Sequence, residues 1–112
     1  MANAPPFTFE EARGVGLSLS SVQRRMLLDL GSWSPDEATA YNCGELVWKD
    51  LIYRNSWSPA YRYTDRGLAA KAALEMMALS DTDLIALYHT TNGFSLEAVA
   101  ALREIEDRWL DL

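Results

Sequence analysis

The stretch Leu51-Ile52-Tyr53-Arg54-Asn55-Ser56-Trp57-Ser58-Pro59-Ala60-Tyr61-Arg62-Tyr63-Thr64 decides how this chain is read. Aromatic and β-branched residues flank five turn-forming positions, Asn55 to Pro59, which is the pattern of a β-hairpin. With the two-residue period of a strand, Tyr61 and Tyr63 share one face and Arg62 takes the other. Two strands are not stable alone, so this hairpin must lean on helices.

Signals for those helices lie on both sides. Downstream, Thr64 caps a helix running through Leu68, Ala72, Met76 and Leu79. Ser80 with Asp83 opens a shorter helix, with Leu84, Leu87 and Tyr88 on one side, ending at Asn92-Gly93. Ser95 caps a last helix with an apolar stripe of Val99, Leu102, Ile105, Trp109 and Leu112. Upstream, Ser34-Pro35-Asp36-Glu37 combines a hydroxyl cap, a first-turn proline and acids suited to the positive helix end. A helix is expected there, broken at Asn42-Cys43-Gly44 into segments near 35 to 41 and 44 to 50. Ser20 with Gln23 opens a core helix over about 21 to 30, using Val22, Met26, Leu27 and Leu30, with Gly31 as its left-handed end. Thr8 with Glu11 starts a short helix ending near Gly14 and Gly16. The fold class expected is mainly α with one β-hairpin.

Length and charge narrow the rest. With 112 residues, the chain is long enough for one hydrophobic core and reads as a single soluble domain over 1 to 112. One cysteine excludes an internal disulfide, and no Cys/His set suggests zinc or another metal. No apolar run approaches the length a membrane helix needs, and the amino terminus lacks a secretion pattern, so a cytoplasmic protein is expected. The net charge of −6 argues against coating nucleic acid by charge alone. Its distribution is uneven. Residues 42 to 71 carry Lys49, Arg54, Arg62, Arg66 and Lys71 against three acids, whereas residues 72 to 112 carry two cations against eight acids.

Nothing supports catalysis or a cofactor. His89 and Cys43 lie 46 residues apart and form no nucleophile signature; His89 reads as a surface or helix-end residue and Cys43 as a small core or turn residue. Glu10 with Glu11 and Asp36 with Glu37 follow caps and serve helix starts. Gly14 and Gly16 follow no strand and lack the third glycine of a dinucleotide loop. The residues that invite a ligand are aromatics interleaved with cations, Trp48, Lys49, Tyr53, Arg54, Trp57, Tyr61, Arg62 and Tyr63. Such side chains stack on bases or anchor protein interfaces, and they also plug cores. Trp57, flanked by Asn55-Ser56 and Ser58-Pro59, is expected to be exposed at the loop tip.

Two motifs carry a family resemblance. Leu46-Val47-Trp48-Lys49-Asp50-Leu51-Ile52-Tyr53-Arg54 looks like the end of a recognition helix running into a first wing strand. Tyr61-Arg62-Tyr63-Thr64-Asp65-Arg66-Gly67 is similar to the Tyr-x-Leu-Thr-x-x-Gly strand that feeds the helix after the wing. Over residues 20 to 79 the chain resembles the winged helix-turn-helix of MarR-like and PadR-like transcriptional regulators, with Asp50 where that pattern commonly has glycine. The resemblance implies a three-helix core plus wing, followed by C-terminal helices. It also implies duplex DNA as partner, with Trp48 and Trp57 at the groove and Lys49, Arg54 and Arg62 at phosphates. Such regulators commonly dimerise through added terminal helices, which implies a homodimer through residues 80 to 112; the Val99 to Trp109 stripe otherwise packs inside the chain. The net charge and the scarcity of base-reading side chains keep a second reading open, an acidic protein-interaction module, an adaptor or phage-type inhibitor, on the same fold.

Overall fold

The computed structural model describes residues 7 to 55, 57 and 60 to 111. Among them, six helices each start at a Ser or Thr whose side-chain oxygen accepts the backbone N–H three positions on. They are α1 (Phe9–Ser18, capped by Thr8), α2 (Ser21–Leu28, Ser20), α3 (Ala40–Trp48, Thr39), α4 (Asp65–Met77, Thr64), α5 (Asp81–Thr90, Ser80) and α6 (Leu96–Asp107, Ser95). Each cap satisfies an N–H that the helix itself leaves without a partner. Strands β1 (Ile52–Tyr53) and β2 (Arg62–Tyr63) pair antiparallel, Ile52 opposite Tyr63 and Tyr53 opposite Arg62. The fold is mainly helical with one two-strand hairpin.

Helix α4 is the axis of the packing. Its alanines let neighbours approach closely: α1 and α2 lie on it, and α6, which also carries α5, covers another side. Ala70 and Leu74 join Leu19, Met26, Leu27, Leu46, Leu51 and Ile52 in one buried cluster beneath the hairpin. Ala72 and Met76 join Leu84, Ala100, Ala101 and Ile105 in a second. Burying a leucine such as Leu27 or Leu46 contributes roughly 2 kcal/mol each. Arg108 ties the second cluster's edge together: Nε donates to Glu104 at 2.8 Å, Nη1 to Asp81 at 3.0 Å, and Nη2 to the Met76 and Met77 carbonyls that end α4.

The hairpin leans on this body through its aromatic side. Ile52 is buried, and the Tyr63 hydroxyl donates to the Leu27 carbonyl at 2.6 Å. Tyr61 and Tyr63 are half-buried while Arg62 is exposed, as the alternation requires. Of the tip, Ser56, Ser58 and Pro59 lie outside the described residues.

Several sequence expectations are corrected. Helix α1 passes through both of its glycines to Ser18, because Gly16 is buried against Ala70 and this contact outweighs a helical cost of about 1 kcal/mol per glycine. Helix α2 stops at Leu28; Gly31 does not adopt a left-handed conformation, and its N–H is taken instead by the Asp29 carboxylate at 3.1 Å. Val22 and Leu68, expected on core faces, are exposed. In α6 the inward line is Ala98, Ala101 and Ile105, because the alanine-rich α4 approaches too closely for larger side chains; Val99 and Trp109 face solvent. Leu112 lies outside the described residues.

The largest correction concerns residues 34 to 50. Ser34 and Glu37 do exchange side-chain and backbone hydrogen bonds, but they close one turn and no helix follows. The Glu37 carboxylate is drawn to Arg25 on α2, the Thr39 N–H bonds the Glu37 carbonyl at 2.8 Å, and Thr39 then caps α3 afresh. Asn42-Cys43-Gly44 therefore lies inside one helix, where the expected break does not occur, and Cys43 is a half-buried helical residue.

The Arg25 hydrogen bond, assisted by the Ser34 N–H, holds the Glu37 carboxyl down at about 2 against an ordinary 4.5. A folded-state value below the unfolded one contributes stability that is complete above about pH 4.5 and is lost as pH falls toward 2. Solvent around this exposed pair keeps the effect modest. Chemical denaturation of Glu37→Gln between pH 7 and 2 is expected to show lower stability than wild type at neutral pH and convergence at the acid end. Two curves that stay parallel would refute this.

Candidate nucleic-acid interface

The crossing from α3 into β1 is built on one unusual residue. The Leu51 N–H bonds the Leu46 carbonyl at 3.0 Å and the Asp50 N–H bonds Val47 at 2.9 Å, the pattern of a Schellman helix end. It places Asp50 in the left-handed region at φ 59°, the conformation that glycine takes most easily and Asp tolerates. The redirected chain points the Leu51 carbonyl at the first turn of α4, where it accepts the Thr64 N–H at 3.1 Å. The Thr64 hydroxyl donates to the Asp50 carbonyl and accepts from Gly67. A Cβ on Gly67 would stand 1.8 Å from the Leu51 oxygen, so only glycine fits.

This joint fixes α3 and the hairpin side by side. Trp48, at the end of α3, is 86% exposed and Trp57, at the tip, 84%. Trp57 is thus where the turn composition puts it. Trp48, open in sequence between core plug and contact residue, does not plug the core. Lys49 Nζ donates to the Ser18 hydroxyl at 3.2 Å. The Arg54 guanidinium lies 5.3 Å over the Tyr61 ring, which packs on Trp33 at 5.4 Å; Trp33 is anchored by its indole N–H on the Met26 carbonyl. Stacking of this kind holds a guanidinium flat while its N–H groups stay available. Arg62 projects from the opposite side of β2 to Tyr61, so the arginines sit on different hairpin faces. Lys71 lies over Tyr63 at 5.2 Å.

Charge pairing takes up four of the other cations, while Arg24 and Lys71, like these three, form no ion pair with an acid among the described residues. Arg13, Arg25, Arg103 and Arg108 each bind carboxylates. Among the described residues, Lys49, Arg54 and Arg62 form no ion pair with an acid. The sequence reading missed Tyr41 and Val47, both exposed on α3. Tyr41, Gly44 and Trp48 follow helical spacing only once residues 40 to 48 are one helix, so the expected break concealed them. Val47, Trp48 and Tyr61 border a shallow apolar cavity of about 450 Å³ with Cys43 and Gly44.

His89 is exposed in the last turn of α5. Among the described residues, no group of three or more His, Cys, Asp or Glu side chains is arranged to hold a metal ion, and no helix is long and apolar enough to cross a membrane. The chain is mainly helical with a hairpin, and exposed aromatic and cationic side chains lie on the end of α3 and on both faces of the hairpin. Compared with known proteins, the chain matches no family model, no curated protein and no solved structure.

Proposed function

We propose that the chain is a small, non-enzymatic, winged-helix-like protein of the cytoplasm that binds duplex DNA as a transcriptional regulator. Helix α3 faces the groove and the hairpin acts as the wing. The observation that carries the reading is that Lys49, Arg54 and Arg62, on the end of α3 and the hairpin with the exposed Trp48 and Trp57, have no acid partner among the described residues. A cation already neutralised by its own protein has little to offer a phosphate; these three retain their charge for one. Their arrangement suits backbone binding with modest sequence discrimination, since α3 offers no side chain shaped for bidentate base reading on its exposed side.

Fluorescence anisotropy with a labelled random duplex tests this. Three phosphate contacts predict a log–log salt slope of about −3, or roughly 40-fold weaker binding at 200 mM than at 50 mM salt. Replacing Arg54 and Arg62 together by Ala should weaken binding for all sequences alike and reduce the slope by about 2. A flat salt dependence would reject the proposal.

A protein-interaction module on the same fold is the second reading. The apolar exposed side of α3, with Tyr41, Val47 and Trp48, favours it, as aromatic anchors concentrate binding energy at protein interfaces. A stoichiometric protein partner that survives nuclease treatment and is lost in Trp48→Ala would select this reading over DNA.

A further inference from the structure

The end of the molecule built on the second cluster carries a knob beside a hole. Phe94 is 99% exposed, the most exposed of the large apolar side chains described. Its loop is not loose: the Asn92 side-chain oxygen accepts the Phe94 N–H at 3.0 Å, and the Asn92 carbonyl accepts both the N–H and the hydroxyl of Ser95 at 2.9 and 2.7 Å. Asn92 thus fixes the turn and Ser95 goes on to cap α6, so the ring is presented outward by a held backbone. Immediately beside it, Gly93 forms part of the wall of a cavity of about 320 Å³ between the start of α1, the end of α5 and α6. Phe9, Tyr88, Val99 and Leu102 make that wall apolar, and the Glu10–Arg103 ion pair stands at its edge.

An isologous interface needs a patch that complements itself: whatever projects must find its socket on the same face of an identical copy. Phe94 and the cavity next to it meet that condition, and an aromatic ring is of the size and polarity the cavity takes. We propose that this face pairs with a second copy of the chain about a two-fold axis, Phe94 of each copy entering the cavity of the other, with Leu96 and Val99 packed around the axis. The proposal does not rest on DNA binding. The stripe read from the sequence as a dimer face contributes only its outward members here, because Ile105 is buried within the chain.

The size of the patch sets the strength. An aromatic side chain buries roughly 150 to 250 Å², so two rings with the neighbouring Leu96 and Val99 come to about 800 Å² in total, below the roughly 1,200 Å² of a standard interface. The dimer is therefore of the weak, transient kind.

Sedimentation equilibrium of the full chain from 10 μM to 1 mM, in 150 mM salt, is the test. The expected result is a rise from the monomer mass toward twice that mass. Phe94→Ser removes the knob and Val99→Trp fills the hole from within; each should weaken association at least tenfold while far-UV circular dichroism stays unchanged, both residues being exposed in the monomer. Trp48→Ser, on the far α3 face, should leave association intact. A chain that remains monomeric at 1 mM, or one whose association responds to Trp48→Ser and not to Phe94→Ser and Val99→Trp, would overturn the proposal.

Discussion

Gly67→Ala is expected to be the most damaging single methyl group that can be added to this protein. The new Cβ would lie 1.8 Å from the Leu51 oxygen and 2.8 Å from its carbon, and both belong to backbone, so no side-chain rotation relieves the clash. The first turn of α4 must retreat from the α3–β1 crossing, straining the Thr64 N–H bond to Leu51 and the Thr64 hydroxyl bond to Asp50. Overpacking costs typically about 1 to 3 kcal/mol where neighbours can yield; against backbone we expect about 3 kcal/mol or more. For a chain of this size that is a fall in Tm of roughly 12 °C or more. On the proposed DNA-binding reading the variant should also lose DNA affinity, since the same joint sets the hairpin beside α3. Gly14→Ala is the control: nothing lies within 4 Å of its added Cβ, so it should raise stability by about 0.5 to 1 kcal/mol through helix propensity alone. If both substitutions have the same sign, the close approach at Leu51 is not what glycine serves.

Leu84→Ala should produce the second large effect, at the other end of the molecule. Leu84 is fully buried between α4 and α6, so truncation removes transfer energy and leaves a cavity, together about 2 to 5 kcal/mol. The informative part is how the loss spreads. Helix α4 supplies Ala70 and Leu74 to the cluster under the hairpin and Ala72 and Met76 to the cluster around Leu84. One rigid helix cannot lose either flank without weakening its hold on the other. Thermal unfolding of Leu84→Ala should therefore shift by the same amount, roughly 8 to 20 °C, whether followed by far-UV circular dichroism or by fluorescence of the tryptophans, of which only Trp33 packs on the first cluster. Two separated transitions would show that the clusters fold independently.

The outlines of the fold were legible because the signals that define them are local. A Ser or Thr hydroxyl reaching the N–H three residues on depends on a single turn of chain, so Thr8, Ser20, Thr64, Ser80 and Ser95 could be read as helix starts from spacing alone, and the aromatic alternation gave the hairpin. Ser34 shows the limit of the same rule. Its box with Glu37 forms, yet Arg25, distant in sequence, captures the Glu37 carboxylate, and the helix begins instead at Thr39. The proposed contact surface divides in the same way. Its cations could be counted from the sequence, and Trp57 could be placed at an exposed turn. Tyr41 and Val47 could not be placed, because their exposure follows from the unbroken course of α3.

The amino-acid order by itself determined where five of the six helices described start and that one hairpin interrupts them, since caps, turns and alternation act over three or four residues; the start of α3 was not among them. Tertiary structure alone decided which cations are paired with the chain's own acids. Arg103 finds Glu10 and Arg13 finds Asp107 only when α6 and α1 are brought together, while no acid is brought to Arg54 or Arg62 among the described residues. It also decided that Ala98 and Ala101 turn inward in place of Val99, because side-chain size is judged against the distance to α4, and that distance exists only in the folded chain.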